Sequence, residues 1–383
     1  MSNDAQSPPW QTDDVRMLRE SVRRFVREEL VPQQPRWREQ HHPDAAAWLS
    51  AGRIGMLLPD VPAAYGGGGG TFAHEAAIIE ELSRAGVSFG CGVQSIVARY
   101  LLSYGSEEQK QRWLPRMARG ELVGAIARTE PGAGSDVAAI TTTARRDGEH
   151  YVIKGQKTFI TNGFHAGLVC LAAKTNPSAP PMRSLSMIVV ETKDLPGYAV
   201  DRPLEKVGMH GQDTCGLFFD DARVPVANLL GPAEGRGFTQ MMQQLPFERL
   251  SIAVAAVAMA EEAVALTVRY AKERVVAGKP LFELQNTRFK LAECTADVRV
   301  GRAFVDDCIR RYLGGQLDDV STAVAKYWCT ERQCRIVDEC VQLHGGYGYM
   351  TDYQIARMWI DSRVQRIYAG TNEVMKEDIA WSL

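Results

Sequence analysis

The chain has 383 residues, 45% hydrophobic and 23% charged, enough to bury a large core and to divide into two or three domains. Its formal net charge is -2 and no Lys/Arg cluster stands out, so it offers no basic surface for nucleic acid or for an anionic membrane. No uncharged apolar run reaches the ~18 residues of a membrane span, and the N-terminus, MSNDAQSPPWQTDDV, lacks the basic start and apolar stretch of a secretory signal; a cytoplasmic protein is expected.

From Asp13 to about Gly120 apolar residues recur at spacings of three and four, with Val15, Leu18, Val22, Phe25 and Val26 on one stripe and Ile78, Ile79 and Leu82 on another. This section reads as helical. Tyr65 and the run Gly66 to Gly70 interrupt it, and no strand precedes them, so a flexible turn is expected rather than a phosphate loop. From Glu121 to about Gly231 short β-rich runs follow one another. ITTTARR and EHYVIKG flank Asp147-Gly148, a hairpin signal, and LVCLAAK, SLSMIVVE and CGLFFDDARV are set apart by turn residues. An antiparallel β domain is expected there.

Helical periodicity returns from Gly237, with segments near 237 to 276, 283 to 313 and 316 to 343 and a short one after Gly370-Thr371. The order is helical, β, helical. The expected class is α+β multidomain, divided at 1–120, 121–232 and 233–383, and not a doubly wound sheet, which would alternate strands and helices. The eight cysteines form no CxxC pair and the seven histidines no ligand array, so buried free thiols and no metal site are expected.

Four stretches have the composition of a binding site. RTEPGAGSD, 128 to 136, combines close-approach glycines with the hydroxyls of Thr129 and Ser135, which suits a phosphate, a flavin edge or a thioester, or equally a Gly-rich turn. In GQKTFITNG, 155 to 163, Phe159 and Thr161 are two apart on one face of a strand, where they would cover a flat heterocycle or simply fill a core. QLHGGYGYM, 342 to 350, has more glycines than a helix cap requires. In AGTNEV, 369 to 374, Thr371 is an N-cap candidate. Finally, LPFERLSIAVAAVAMAEEAV, 245 to 264, places Glu248 and Arg249 at the head of an otherwise apolar helix. By itself this reads as a helix-start acid or a salt-bridge partner.

In this order and spacing, together with GSEEQKQRWLPRMARGE at 105 to 121, these segments closely resemble the acyl-CoA dehydrogenase family over nearly the whole chain. The resemblance implies an N-terminal helical domain, a central antiparallel β domain and a C-terminal four-helix bundle. It further implies a homotetramer built as a dimer of dimers, with FAD across a dimer interface. Thr129 and Ser135 would belong to the flavin-side loop, Phe159 would lie against the isoalloxazine and Thr161 near flavin N5. Arg274 and Gln285 would reach the neighbouring subunit's FAD, with Gln342, Gly345 and Gly346 along its pyrophosphate and Thr371 and Glu373 near its adenosine. Two residues depart from the family pattern: Ala277 where Phe is common, and Arg128 where an apolar residue is frequent.

The implied reaction is α,β-dehydrogenation of an acyl-CoA to the trans-2-enoyl-CoA, as in fatty-acid β-oxidation, with electrons passed to electron-transfer flavoprotein. Enolate charge on the thioester oxygen would be met by the flavin ribityl 2'-hydroxyl and the backbone N–H of Ala369. Most members have the base, a glutamate, where this chain has Ala369. The isovaleryl-CoA and long-chain branches instead have a small residue there and a glutamate before the arginine of the bundle helix. That pair here is Glu248-Arg249, so Glu248 is expected to be the general base in an apolar pocket. Ser135, Arg249 and Gln94 are carried over as substrate contacts, and Ala98 near the pocket floor suggests room for medium-to-long or branched tails. The alternatives are an acyl-CoA oxidase, a flavin monooxygenase and a non-catalytic subunit of a hetero-oligomer.

Overall fold

A computed structural model describes residues 8–383; residues 1–7, part of the N-terminus expected to lack a signal, lie outside the described residues. Six helices come first: α1 Asp13–Phe25, α2 Gln34–Gln40, α3 Ala45–Arg53, α4 Phe72–Ala85, α5 Cys91–Tyr104 and α6 Glu107–Ala118. Val22 and Phe25 of α1 pack with Trp37, Trp48, Ile78 and Leu82, so both apolar stripes face one core. α6 starts at a capping box in which Ser106 Oγ accepts from the Gln109 N–H at 3.3 Å and Gln109 Oε1 accepts from the Ser106 N–H at 2.9 Å.

The run Gly66 to Gly70 is not a free turn. The N–H groups of Gly68, Gly69 and Gly70 donate to Leu58, Val61 and Pro59 carbonyls, and a Cβ on Gly67 would fall 2.3 Å from the Val61 oxygen. With these donors used internally, the loop has none to offer a phosphate, and its glycines serve close backbone packing.

The middle section holds β1 Val123–Ala127, β2 Thr143–Asp147, β3 His150–Thr161, β4 Ala166–Lys174, the short α7 Pro181–Ser184, β5 Leu185–Glu191, β6 Tyr198–Val200 and β7 Thr214–Pro225. They form one sheet in the order β1-β4-β2-β3-β7-β6, with β5 on β4. Pairing is antiparallel for β2–β3, β3–β7, β4–β5 and β6–β7 as expected, whereas β1 runs parallel to β4 and meets it from Val123↔Ala166 to Ala127↔Leu171. The expected hairpin forms one residue later than Asp147-Gly148: Asp147 pairs with His150, and Gly148, at φ 60°, is the first turn residue.

The last section contains α8 Gly237–Glu273, a small hairpin of β8 Val275–Val276 and β9 Lys279–Pro280, then α9 Gln285–Leu313, α10 Asp319–His344, α11 Gln354–Ser362 and α12 Asn372–Ala380. α8 is long and apolar enough by composition to cross a membrane, with a mean hydropathy of 1.7 in its most apolar window. In this fold it is the central strut: Leu250, Ala253, Val254 and Val257 pack with Phe72 and Ala76 of α4, Val305 of α9 and Ala325 of α10. Ala277 and Gly278, at φ 49° and 80°, make the tight turn between β8 and β9, a conformation more favourable for Ala than for a bulky residue. All eight cysteines are free thiols, seven of them buried.

Candidate active site

Glu248 is carried by α8 and met by the loop that follows β1, while the loop that precedes α12 packs on α8 at the neighbouring Arg249. The helix begins at Gly237, so Glu248 lies in the helix interior, two residues past Pro246, and not at its head. The helix-start explanation for the acid therefore fails, and the expected apolar pocket is also corrected. Glu248 is 2% exposed, and both its oxygens are engaged by one guanidinium: Arg128 Nη1 donates to Oε1 at 2.9 Å and Nη2 to Oε2 at 2.7 Å. Burial opposes the charge on Arg128, but the carboxylate outweighs it and holds the guanidinium above its ordinary pKa.

Arg128 projects from the loop that leaves β1, and that loop is pinned from beneath. The Lys157 ammonium donates to the Arg128 carbonyl at 3.1 Å and to Glu130 Oε1 at 2.8 Å. Glu130 also accepts from the Thr141 N–H at 2.7 Å, the Thr141 hydroxyl at 2.6 Å and the Thr142 N–H at 3.0 Å. Burial works against that carboxylate, yet Lys157 and the threonine donors outweigh it and bring its pKa down to about 2. Thr129 is half-buried and Ser135 exposed on the outer part of the same loop, and a Cβ at Gly132 or Gly134 would meet nothing within 4 Å. These glycines leave an open face, as a loop that receives a flat ligand would.

Phe159 has φ 59° and is 67% exposed, beside a register shift between Lys157 and Ile160. The bulge lies before Ile160, and Phe159 and Thr161 both stand on the less buried side, with Ile160 between them buried. A large exposed aromatic on a strained backbone has no packing role here and fits a partner that is flat and apolar.

The third element is the turn before α12. Ala369 and Gly370 have φ 51° and 91°, and the Lys326 ammonium, fully buried on α10, donates to the Gly370 carbonyl at 2.7 Å and to Asn372 Oδ1 at 2.8 Å. Thr371 caps α12 by accepting from the Val374 N–H at 3.3 Å, and Glu373 lies exposed in its first turn. The turn abuts α8, because Arg249 Nη2 lies 3.9 Å from where a Cβ on Gly370 would be. Arg249 turns to Asp378 at 2.9 Å, away from its neighbour Glu248, and braces α12 against α8.

Other expected site residues are placed differently. Gln94 is fully buried and its amide is taken up by backbone: it donates to Met117 and Leu122 carbonyls at 3.0 and 2.9 Å and accepts from the Gly124 N–H at 2.6 Å. It ties α5 to the start of β1, while Ala98 is packed in a buried apolar core. Arg274, Gln342, Gly345 and Gly346 do come together, around an open cavity of about 620 Å³ that Tyr270, Tyr347 and Met350 complete. Gly345, at φ 60°, and Gly346 have open space where a Cβ would lie. Gln285 is exposed at the start of α9 and does not line this cavity.

The residues not anticipated are Lys157, Glu130, Lys326 and the pairing of Arg128. The first two stand in the quoted motifs GQKTFITNG and RTEPGAGSD, and their opposite charges were a signal that the motifs meet.

Comparison with known proteins bears on the whole chain. Family models match three consecutive segments: the N-terminal domain of acyl-CoA dehydrogenase at residues 12–121, the middle domain at 125–222 and the C-terminal domain at 235–383. The long-chain specific acyl-CoA dehydrogenase of Sus scrofa mitochondria is 42% identical over 367 residues, 95% of this chain and 85% of that protein. The crystal structure of an acyl-CoA dehydrogenase from Geobacillus kaustophilus superposes with a TM-score of 0.96 at 47% identity, covering 98% of this chain and 99% of that one. A glutaryl-CoA dehydrogenase from Mycobacterium smegmatis, solved in complex with FADH2, gives a TM-score of 0.91 at 28% identity, covering 98% and 96%.

Proposed function

The chain belongs to the acyl-CoA dehydrogenase family, and on that premise we propose that it catalyses FAD-dependent α,β-dehydrogenation of an acyl-CoA thioester with Glu248 as the general base. One observation supports the assignment of the base above the others. Where the turn before α12 has Ala369, which offers no acid, Glu248 supplies a buried carboxylate on α8, the helix against which that turn packs.

The residues present fit a flavin dinucleotide shared between subunits: an exposed Phe159 ring and an open glycine loop for the flavin of its own chain, and a separate glycine-floored cavity at Arg274 and Gln342 for the extended half of a neighbouring subunit's flavin. The chemistry supplied by bound FAD is acceptance of the β-hydrogen as hydride. Glu248 takes the α-proton, and the left-handed turn at Ala369 presents a backbone N–H to the thioester oxygen, where enolate charge develops. Thr129, Ser135 and Thr161 would line the flavin side, with Thr371 and Glu373 at the far half; Gln285 would reach it only in a partner subunit.

We further propose a medium-to-long or branched acyl group, in keeping with the long-chain relative, electron-transfer flavoprotein as acceptor, and a homotetramer of three-domain subunits divided at 1–120, 121–232 and 233–383. Eight free thiols support a reducing compartment such as the cytoplasm. The fork of Arg128 over Glu248 is the one feature that favours a non-catalytic subunit instead, and a colourless, inactive purified protein would select that reading. Peroxide formation without another acceptor would select an oxidase.

The decisive measurement is anaerobic bleaching of the flavin by a long-chain acyl-CoA. Glu248→Gln is expected to slow bleaching by about 10²- to 10⁴-fold, the usual worth of a general base. Bleaching at the native rate in the variant would remove Glu248 from the reaction.

A further inference from the structure

Arg128 has no part in the reaction as derived, yet it touches the base directly. Its side chain is 20% exposed whereas that of Glu248 is 1% exposed, so the pair reaches solvent only along the Arg128 side chain. The other titratable groups near Glu248 are the Tyr100 hydroxyl on α5, which is fully buried and has no hydrogen-bond partner, and the Cys170 thiol on β4. Burial, with Glu248 adding to it and Arg128 opposing, pushes that thiol up to about 12, so it carries no charge. Arg249 on the same helix is committed to Asp378. Arg128 is thus the one cation paired with Glu248 among the described residues, and Lys157 fixes its backbone.

The geometry of the fork decides what this cation does. An ionised carboxylate has about four lone-pair positions, and a bidentate guanidinium occupies one on each oxygen. Each oxygen keeps a second position, so the carboxylate can accept a proton without first releasing Arg128. Two parallel bonds meanwhile fix both its plane and its rotation.

We propose that Arg128 is a positioning residue for Glu248: the fork fixes the carboxylate in plane and in rotation until it takes the substrate's α-proton. This rests on Glu248 being the base. The family resemblance has an apolar residue frequent at this position, which could not make the fork.

The test uses the FAD-loaded protein and octanoyl-CoA, with flavin reduction followed anaerobically over a range of substrate concentrations. In Arg128→Met the limiting rate is expected to fall about 10- to 10³-fold while the half-saturating concentration stays within about threefold, because the orientation of the base acts on the chemical step. Arg128→Lys, with its charge but no fork, should fall between. In Arg128→Ala, millimolar guanidinium chloride should restore part of the rate through the opening that leaves the native side chain partly exposed, and it should do nothing for Arg128→Ala combined with Glu248→Gln. In the cofactor-free protein, Arg128→Met should lower Tm less when Glu248 is already Gln.

A native or raised rate in Arg128→Met, or no response of FAD-containing Arg128→Ala to guanidinium, overturns the proposal. Should the Met and Ala variants fail to fold or to hold FAD, a native rate in Arg128→Lys overturns it as well. If Glu248→Gln reduces flavin at the native rate, it is the assignment of the base that fails; if that variant is slow and the Arg128 variants are native, only the role of Arg128 fails.

Discussion

Two lysines hold the two loops that pack on α8 at Glu248 and Arg249, and they hold them by different means. Lys157 on β3, with no exposed side chain, pairs with the Glu130 carboxylate at 2.8 Å and steadies the Arg128 carbonyl. Lys326 on α10, also without exposure, meets only neutral oxygens, the Gly370 carbonyl at 2.7 Å and Asn372 Oδ1 at 2.8 Å. Both come down to about 8. For Lys157 burial is the larger influence and Glu130 opposes it; for Lys326 burial is joined by the nearby Arg249 charge, with Glu373 and Glu331 opposing. Lys157 is thus supported by a direct counter-ion against a heavier burial, and Lys326 by the Glu373 and Glu331 charges, neither of which it touches. The sheet-side loop is locked by charge and the bundle-side loop by dipoles.

The difference predicts unequal costs on removing each ammonium. Lys157→Met keeps the side-chain volume but leaves Glu130 as a buried charge without its counter-ion, a loss of about 3–5 kcal/mol in ordinary cases. The three remaining donors to Glu130 place the expected cost at the lower end. Adding Glu130→Gln should recover part of it, because the Gln carbonyl oxygen can still accept from Thr141 and the amide needs no cation. Urea unfolding of the single and double variants measures this directly. Equal midpoints for Lys157→Met and the native protein would show that the pair contributes nothing and that the loop is held some other way.

Lys326→Met removes hydrogen bonds to two neutral acceptors and at the same time removes a buried cation. The first effect costs about 1–3 kcal/mol where an acceptor is left unsatisfied, and the second offsets some of it, so the net destabilisation is expected to be smaller than for Lys157→Met. Its local signature should be clearer than its global one. Ala369 is held at φ 51°, a conformation that costs a non-glycine residue about 1 kcal/mol or more, and the clamp on Gly370 is what the structure provides against relaxation. Hydrogen exchange of the amides from 368 to 374 should therefore quicken in the variant while exchange in the β1 loop stays unchanged. Unaltered exchange at Ala369 would mean that the turn holds itself.

Much of this was legible in the chain, and what was not has a definite physical reason. The long helices appear where the apolar periodicity placed them, because a buried face at a spacing of 3.6 leaves a strong signal over ten turns of α8. The direction of β1 was not visible: a short buried strand such as Val123–Ala127 looks the same whichever way its neighbour runs, and the parallel partner β4 starts only at Ala166. The pairing of Arg128 with Glu248 spans 120 residues and leaves no local pattern; the only trace was a charge where the family pattern has an apolar residue. Lys326 gave a clearer hint, as a lone cation in the run VSTAVAKYWC, where amphipathic spacing puts it on the buried side. Gln94 misled in the other direction. A fully buried amide is as well explained by satisfying backbone groups as by lining a pocket, and here it bonds to three of them.

The smallest effect is the one that separates the two lysines most cleanly. With a folded pKa of about 8 against 10.5 for a free lysine, each ammonium is protonated in both the folded and unfolded chain below pH 8, and there the full cost of burying the cation is present. Between about 8 and 10.5 only the unfolded chain keeps the proton, so the unfolded state binds more protons and this group's contribution to stability rises with pH. The destabilisation caused by Lys326→Met should accordingly grow by up to about 1 kcal/mol per pH unit across that window, read as the difference between native and variant unfolding at pH 7.5, 8.5 and 9.5. Taking the difference cancels the opposite trend from the buried thiols and phenols, which lose protons more readily once unfolded. The same series on Lys157→Met then decides how far a shared carboxylate protects a buried cation: equal slopes mean that Glu130 is spent on the threonines, whereas a slope confined to Lys326 means that it keeps Lys157 charged.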